Sequence, residues 1–318
     1  AGDFKIEPKD VTVWKKEIWD LFIDSVKKRM IADVPLGAFL SGGIDSTSVV
    51  VAMSLLSPKP VETFVISMNG RSEDQRYAGL AAEFFHTNHH EIEISEIDYS
   101  KSLDKLVDFY DEPFFDQSAL PSLLISSEIK KFVTVVLSGD GGDELFGGYE
   151  SYKYANFLSR YQRMPGLLRK MIVKILSPHK PSMYRSEILA KDFYDSYAEY
   201  YSVWKNRLPE SQMYLTKDDL YLGEFKEMID RDFVANQFER WFACRNNDLI
   251  NQSMVADIRG RLSDGYMTKA DIATMSSAVE IRPPFLDYRL VEKAVAISSR
   301  FKIKGGGGKY IWKEIIIL

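Results

Sequence analysis

Between residues 36 and 138, short and almost unbroken apolar runs alternate with segments whose apolar residues recur every three or four positions. That alternation limits the fold more than any other feature of the chain. "LGAFL" (36–40), "ETFVISM" (62–68), "HHEIEI" (89–94) and "FVTVVLS" (132–138) read as strands. Helical patterns fill the intervals: Asp45 to about Leu56, closed by Pro58 and Pro60, then Glu73–Phe85, 99–110 and 118–131. An amphipathic helix over 12–30, with Trp14, Ile18, Leu21, Phe22 and Val26 on one face, precedes them. Strands that are apolar on both faces are covered on both, and strands joined through helices run parallel. The expected fold class is therefore α/β, with a parallel, doubly covered sheet. Beyond about residue 150 the strand pattern stops and aromatic-rich helical sequence such as "DFYDSYAEYYSVW" takes over, so a mostly helical C-terminal region is expected.

Composition narrows the partners. A net charge of −5 over 318 residues gives no basic field, and Lys27-Lys28-Arg29 reads as the solvated face of a helix, so no nucleic-acid partner is expected. No apolar run approaches the roughly 20 residues that cross a bilayer, and no signal peptide opens the chain, so no membrane role is expected. The single cysteine, Cys244, excludes an internal disulfide framework and suits a reducing compartment, which makes the cytoplasm the expected location. The chain opens on Ala1 and ends on bare aliphatics, as a segment of a longer protein would. Gly305–Gly308 reads as a flexible loop.

Ligands of parallel sheets bind at the carboxyl ends of strands, and two such ends are unusual here. "FLSGGIDSTSVV" (39–50) turns from strand to helix through two glycines, two serines and an aspartate. Gly42 and Gly43 permit close backbone approach, Ser41 and Ser46 add hydroxyls, and the free N–H groups of the following helix await an anion. The alternative is a glycine turn with Asp45 as a helix cap. A hundred residues later "VVLSGDGGDELFGGYE" (135–150) leaves a strand through Ser-Gly and adds Asp140, Asp143 and Glu144. Three carboxylates so close repel unless a cation joins them, and magnesium is the natural one beside phosphate.

"LSGGIDS" resembles the pyrophosphate-binding loop of the ATP pyrophosphatases (PP-loop, adenine nucleotide α-hydrolase-like proteins). "LSGDGGDELFGGY" and "VEIRPPFLDYRLVE" (279–292) resemble the synthetase domain of the asparagine synthetase family, a likeness running from "RMIADVPLGAFLSGGIDS" to "GKYIWKE". The resemblance implies one synthetase-type domain over 1–318: an α/β nucleotide-binding core to about residue 150 and a helical region completing the site. It implies ATP and Mg2+ as cofactors. Ser41, Gly42, Gly43, Asp45 and Ser46 would hold the departing pyrophosphate, Asp45 and Asp143 would ligate magnesium, and Leu40, Ile66, Ser138 and Gly139 would line the adenosine. Asp140 would serve acyl-adenylate formation and amine attack, and Lys309, behind a glycine run that closes over ATP, would neutralise charge on the phosphates. Asp111, Glu112, Lys269, Glu280 and Arg282 are candidate substrate contacts; Lys269 and Arg282 could equally be surface ion pairs.

The implied reaction joins aspartate and ammonia to asparagine, with ATP giving AMP and pyrophosphate. Small molecules are then the partners, with a homodimer left open. Two departures stand out. The amino-terminal glutaminase domain of glutamine-dependent family members, with its cysteine nucleophile, has no counterpart here, so a preceding domain or a partner subunit is expected to release ammonia. Asp140 stands where the family commonly has glutamate, which leaves room for another acceptor acid, as in sugar-amidating or β-lactam-forming relatives. A non-catalytic nucleotide-binding module is the remaining alternative; it would have favoured loss of Asp45, Asp143 or Lys309, and all three are present.

Overall fold

The computed structural model describes residues 6–68, 73–94, 96–112, 114, 116–152, 164–168, 171, 223–228 and 248–317. Five strands, β1 (Leu36–Phe39), β2 (Glu62–Met68), β3 (Asn88–Ile94), β4 (Val135–Leu137) and β5 (Glu280–Arg282), form one all-parallel sheet in the order β3-β2-β1-β4-β5. The helices of the first half are α1 (Val11–Arg29), α2 (Ile44–Leu56), α3 (Glu73–Phe84), α4 (Glu96–Phe109), α5 (Ala119–Ile129) and the single turn α6 (Gly142–Phe146). Later come α7 (Leu249–Asp257), a π-helix over Ile258–Met267, α8 (Thr268–Met275), α9 (Tyr288–Ala296) and α10 (Tyr310–Ile316). The chain divides into two compact units, Ile6–Tyr149 with Asp257–Leu318, and Ala1–Lys5 with Glu150–Ala256. The sheet and the site described below belong to the first.

The strand order decides where a ligand can go. The chain steps from β1 outward to β2 and β3, then returns to place β4 and β5 on the other side of β1. The connections leaving β1 and β4 therefore diverge, and a crevice opens between adjacent carboxyl ends at that switch point.

Two expectations need correction. "FVTVVLS" yields a strand of three residues, because the N–H groups of Phe132 and Val133 both donate to Ile129 O and finish α5 instead. Conversely, β5 lies far beyond residue 150, where no strand pattern was visible. Its three residues are too few to show a period and end against Pro283; pairing with β4 makes them a strand.

α1 starts where the Asp10 carboxylate accepts from Thr12 N at 2.8 Å. Trp14, Ile18, Phe22 and Val26, one turn apart, are fully buried on its inner face. The basic residues 27–29 fall in its last turn, where the helix dipole favours them; Lys28 pairs with Asp24 and Arg29 with Asp287. Below the sheet's carboxyl ends Phe22, Phe146, Phe285 and Trp312 interlock, with ring centroids 4.7 Å apart for Phe22–Phe285, 4.9 Å for Phe22–Trp312 and 5.0 Å for Phe146–Trp312. The Trp312 Nε1–H donates to Ser48 Oγ at 3.2 Å. This cluster fixes α10 against α1, α2 and α6, and Lys309 lies immediately before α10.

Candidate active site

The first loop is an uncapped helix start. α2 begins after Gly43, whose position supplies no side-chain cap, and Asp45 does not cap the helix: it turns inward and is nearly buried. The first-turn N–H groups of α2 therefore have no side-chain acceptor and face the crevice. The loop is tied to itself. Ser41 N donates to Ser46 Oγ at 3.1 Å, the two hydroxyls lie 3.0 Å apart, and Ser46 Oγ donates to Gly43 O at 3.2 Å. Gly42 has φ +77°, and a Cβ there would overlap the carbonyl oxygen of Asp74 on α3, so glycine is needed for packing as well as for conformation.

The second loop meets the first through its glycines. A Cβ on Gly139 would stand 2.7 Å from Ser46 N, and one on Gly142 would stand 2.7 Å from both carboxylate oxygens of Asp45. The three acids of this loop, expected to share a cation, part company. Asp140 accepts from the Ser138 hydroxyl at 2.6 Å and faces the crevice, as does Asp143. Glu144, the next residue on the helical turn α6, points inward, is 1% exposed and accepts from Tyr149 OH at 2.8 Å. Burial pushes its carboxyl up to about 7, against the Tyr149 hydrogen bond.

Lys309 closes the site from the far end of the sequence. Gly305 and Gly306, both with positive φ, form a tight turn in which Lys304 and Gly307 exchange backbone hydrogen bonds of 3.0 Å, so the glycine run is a defined hairpin here. Lys309 N then donates to Phe146 O at 3.1 Å, and Lys309 itself takes φ +57°. Its ammonium lies against Asp45 Oδ2 and 2.7 Å from Asp143 Oδ1. Burial pushes the Asp45 carboxyl up to about 6, with Lys309 pulling the other way and Asp143 adding to the rise. Burial works to lower the Lys309 ammonium, but Asp45 and Asp143 outweigh it and hold it above its ordinary value.

These groups line a cleft of about 540 Å³, within the usual range for small-ligand sites. Of the residues singled out from sequence, Leu40, Ser41, Gly43, Asp45, Ser46 and Ile66 line it from the β1–β2 side. Ser138, Gly139, Asp140, Asp143, Lys269 and Lys309 line the remainder. Lys269 is engaged there, donating to Ser118 Oγ at 2.6 Å and to Asp116 at 3.3 Å. Gly42, Asp111, Glu112, Glu280 and Arg282 do not line the cleft. Strand alternation explains the last two: Ile281 faces the cleft, so its neighbours face away. Arg282 pairs with Glu280 at 2.6 Å and donates to the carbonyls of Arg29 and Ile31. Asp111 and Glu112 are exposed. Sequence reading missed the apolar wall of Phe39, Phe64, Ile125 and Ile281, which is indistinguishable from core until the strands are placed.

The donor set fits a nucleotide and a divalent cation. Asp45 Oδ1 is buried without a hydrogen-bond partner, an acceptor left open beside Asp143. Among the described residues no three or more His, Cys, Asp or Glu side chains gather to hold a metal, so a cation here would share Asp45 and Asp143 with phosphate oxygens. An apolar slot at one end and an uncapped helix start at the other suit a base and its phosphates.

A parallel sheet with a Ser-Gly-Gly anion loop at its switch point and acids on the adjoining loop defines a PP-loop type α/β synthetase domain. More narrowly, the chain belongs to the asparagine synthase family, whose family model matches residues 17–317. It is 32% identical over 307 residues to asparagine synthetase [glutamine-hydrolyzing] 1 of Bacillus subtilis, covering 94% of this chain and 46% of that protein. It is 43% identical over 150 residues to putative asparagine synthetase [glutamine-hydrolyzing] 2 of Methanocaldococcus jannaschii, covering 47% of this chain and 29% of that protein. A putative asparagine synthetase [glutamine-hydrolyzing] of Mycobacterium tuberculosis is 31% identical over 309 residues, 94% of this chain and 45% of the relative. The chain thus spans a little under half the length of the relatives it matches throughout. Among the described residues no helix is long and apolar enough to cross a membrane.

Proposed function

We propose that this domain is an ATP-dependent, AMP-forming amide ligase that activates the side-chain carboxylate of aspartate and passes it to ammonia, giving asparagine and pyrophosphate. The observation that carries this is the convergence of Asp45, Asp143 and Lys309 beside the free N-terminal turn of α2. A carboxylate is a poor electrophile because amide formation would expel oxide; attack on the α-phosphate turns it into an acyl-adenylate whose leaving group is AMP. The protein's share of that work is positioning and charge neutralisation. Leu40, Phe64 and Ile66 hold the base, and the N–H groups of Ile44, Asp45 and Ser46 hold the phosphates that depart. Asp45 and Asp143 would hold magnesium, which when bound neutralises phosphate charge. Asp140, held by the Ser138 hydroxyl and facing the cleft, would serve the junction of the α-phosphate and the acceptor carboxyl. Lys309 adds a cation for the developing pyrophosphate.

The chain is proposed to act as one synthetase domain in the cytoplasm. The relatives are named glutamine-hydrolyzing, so a glutaminase domain or subunit is proposed to supply ammonia in the whole protein. Because Asp140 is one methylene shorter than the commoner glutamate, another acceptor acid is the second reading. ATP–pyrophosphate exchange against a panel of acids, aspartate first, tests both. With ammonium, aspartate should give asparagine, AMP and pyrophosphate; formation of ADP, or exchange driven by a different acid, would overturn the mechanism or the substrate respectively.

A further inference from the structure

We propose that Lys309 is a displaceable placeholder: with the cleft empty of nucleotide, its ammonium keeps Asp45 and Asp143 together, and a divalent cation enters only with phosphates that give Lys309 a new partner. The proposal rests on the reading of Asp45 and Asp143 as metal ligands given above. Asp45, largely buried, and the half-buried Asp143 repel one another unless a cation lies between them. Lys309 supplies it at 2.7 Å from Asp143 and against Asp45, with only 13% of its side chain exposed. The surroundings are shaped for the meeting. A Cβ on Gly148 would overlap Asp143 Oδ1 and the Lys309 Cε, and one on Gly308 would overlap Gly147 O. The lysine also holds a left-handed backbone conformation that a non-glycine residue adopts at a cost, as residues in switching positions often do.

The lysine fills its place incompletely. It reaches Asp45 Oδ2, while the buried Oδ1 is left without a partner. A divalent ion carries twice the charge and could use both oxygens, but without phosphate it would have to expel an ammonium that already pairs with both carboxylates. The other acids lining the cleft are Asp74 and Asp140, the latter engaged by the Ser138 hydroxyl. The lysine's flexible four-carbon stem allows the move once an anion arrives at the α2 N-terminus. Metal and nucleotide binding are then coupled, and by linkage the coupling is reciprocal.

Calorimetric titration of Mg2+ into the full chain, with and without a non-hydrolysable ATP analogue, reads that coupling without relying on turnover. Wild type alone should bind Mg2+ at least about tenfold more weakly than wild type with the analogue, after subtraction of the analogue's own Mg2+ affinity. Lys309→Met should bind Mg2+ without nucleotide about tenfold more tightly than wild type does. It should also melt at a lower temperature in a chelator and recover when Mg2+ is added, whereas Lys309→Arg, which keeps the charge, should continue to exclude the ion. Equal Mg2+ affinity of wild type with and without the analogue would overturn the placeholder while leaving the metal assignment standing, and needs no variant to fold. Absence of Mg2+ binding in every arm would overturn the metal assignment as well.

Discussion

Gly142 carries no side chain because Asp45 occupies the space a methyl group would need, and Gly148 is bare for the same reason beside Asp143. Both lie in a run that could be taken for mere flexibility. Gly142→Ala and Gly148→Ala should each lower pyrophosphate exchange by about a hundredfold or more through displacement of a carboxylate by about 1 Å. Their circular-dichroism spectra should stay native; an active Gly142→Ala enzyme would show that the position of Asp45 is not critical. Asp45→Asn and Asp143→Asn, which remove charge but little volume, should abolish exchange with the fold intact. For Asp140 the expected result is narrower: Asp140→Ala should lose exchange even without any nitrogen donor, and normal exchange would remove it from adenylation. At this scale the loops were readable from their glycines and acids, whereas Lys309 came from the family resemblance alone. The structure brings Asp45, Asp143 and Lys309 together. Glu144 and Arg282 stay apart from them, since one step along a helical turn or a strand swings a side chain out of the cleft.

Among the elements, α9 shows how the late motif serves stability more than chemistry. Asp287 caps it, accepting from Arg289 N at 3.1 Å, and its carboxylate also takes hydrogen bonds from the Arg289 and Arg29 guanidinium groups. The Arg289 hydrogen bonds lead in holding its pKa down to about 2 against the push of burial. Because the folded value lies below the unfolded one, this carboxylate stabilises the protein above about pH 4 and the contribution disappears as pH falls toward 2. Asp287→Asn, which can still cap the helix, should lower stability by about 1–2 kcal/mol at pH 7 and converge with wild type near pH 2. Urea midpoints across that range are the measurement; a constant gap would mean the ion pairs contribute nothing. Elements whose signal is local, such as β2, were legible residue for residue. β5 was not, because its identity as a strand comes from a partner far away in sequence.

For the whole sheet-bearing unit, the aromatic cluster around Trp312 links stability to the site. Trp312→Ala should cost about 3–5 kcal/mol, as should Trp14→Ala at the other end of the same core. At a temperature where both variants remain folded, the Trp312 variant should lose far more turnover, since α10 sets the position of Lys309. Equal losses would detach the cluster from catalysis. The order β3-β2-β1-β4-β5 carries a further consequence for synthesis on the ribosome. β1 to β4 emerge early, but β5 and α10 follow only after the whole of Glu150–Ala256 has been made. At about 5–20 residues per second, the nascent chain spends several seconds or more with β4 as an open edge and Asp45 without its lysine. A chaperone that covers an exposed parallel edge would find its substrate in that interval, and ribosomes stalled before residue 280 should hold a protease-sensitive chain that becomes resistant once residue 316 has cleared the tunnel.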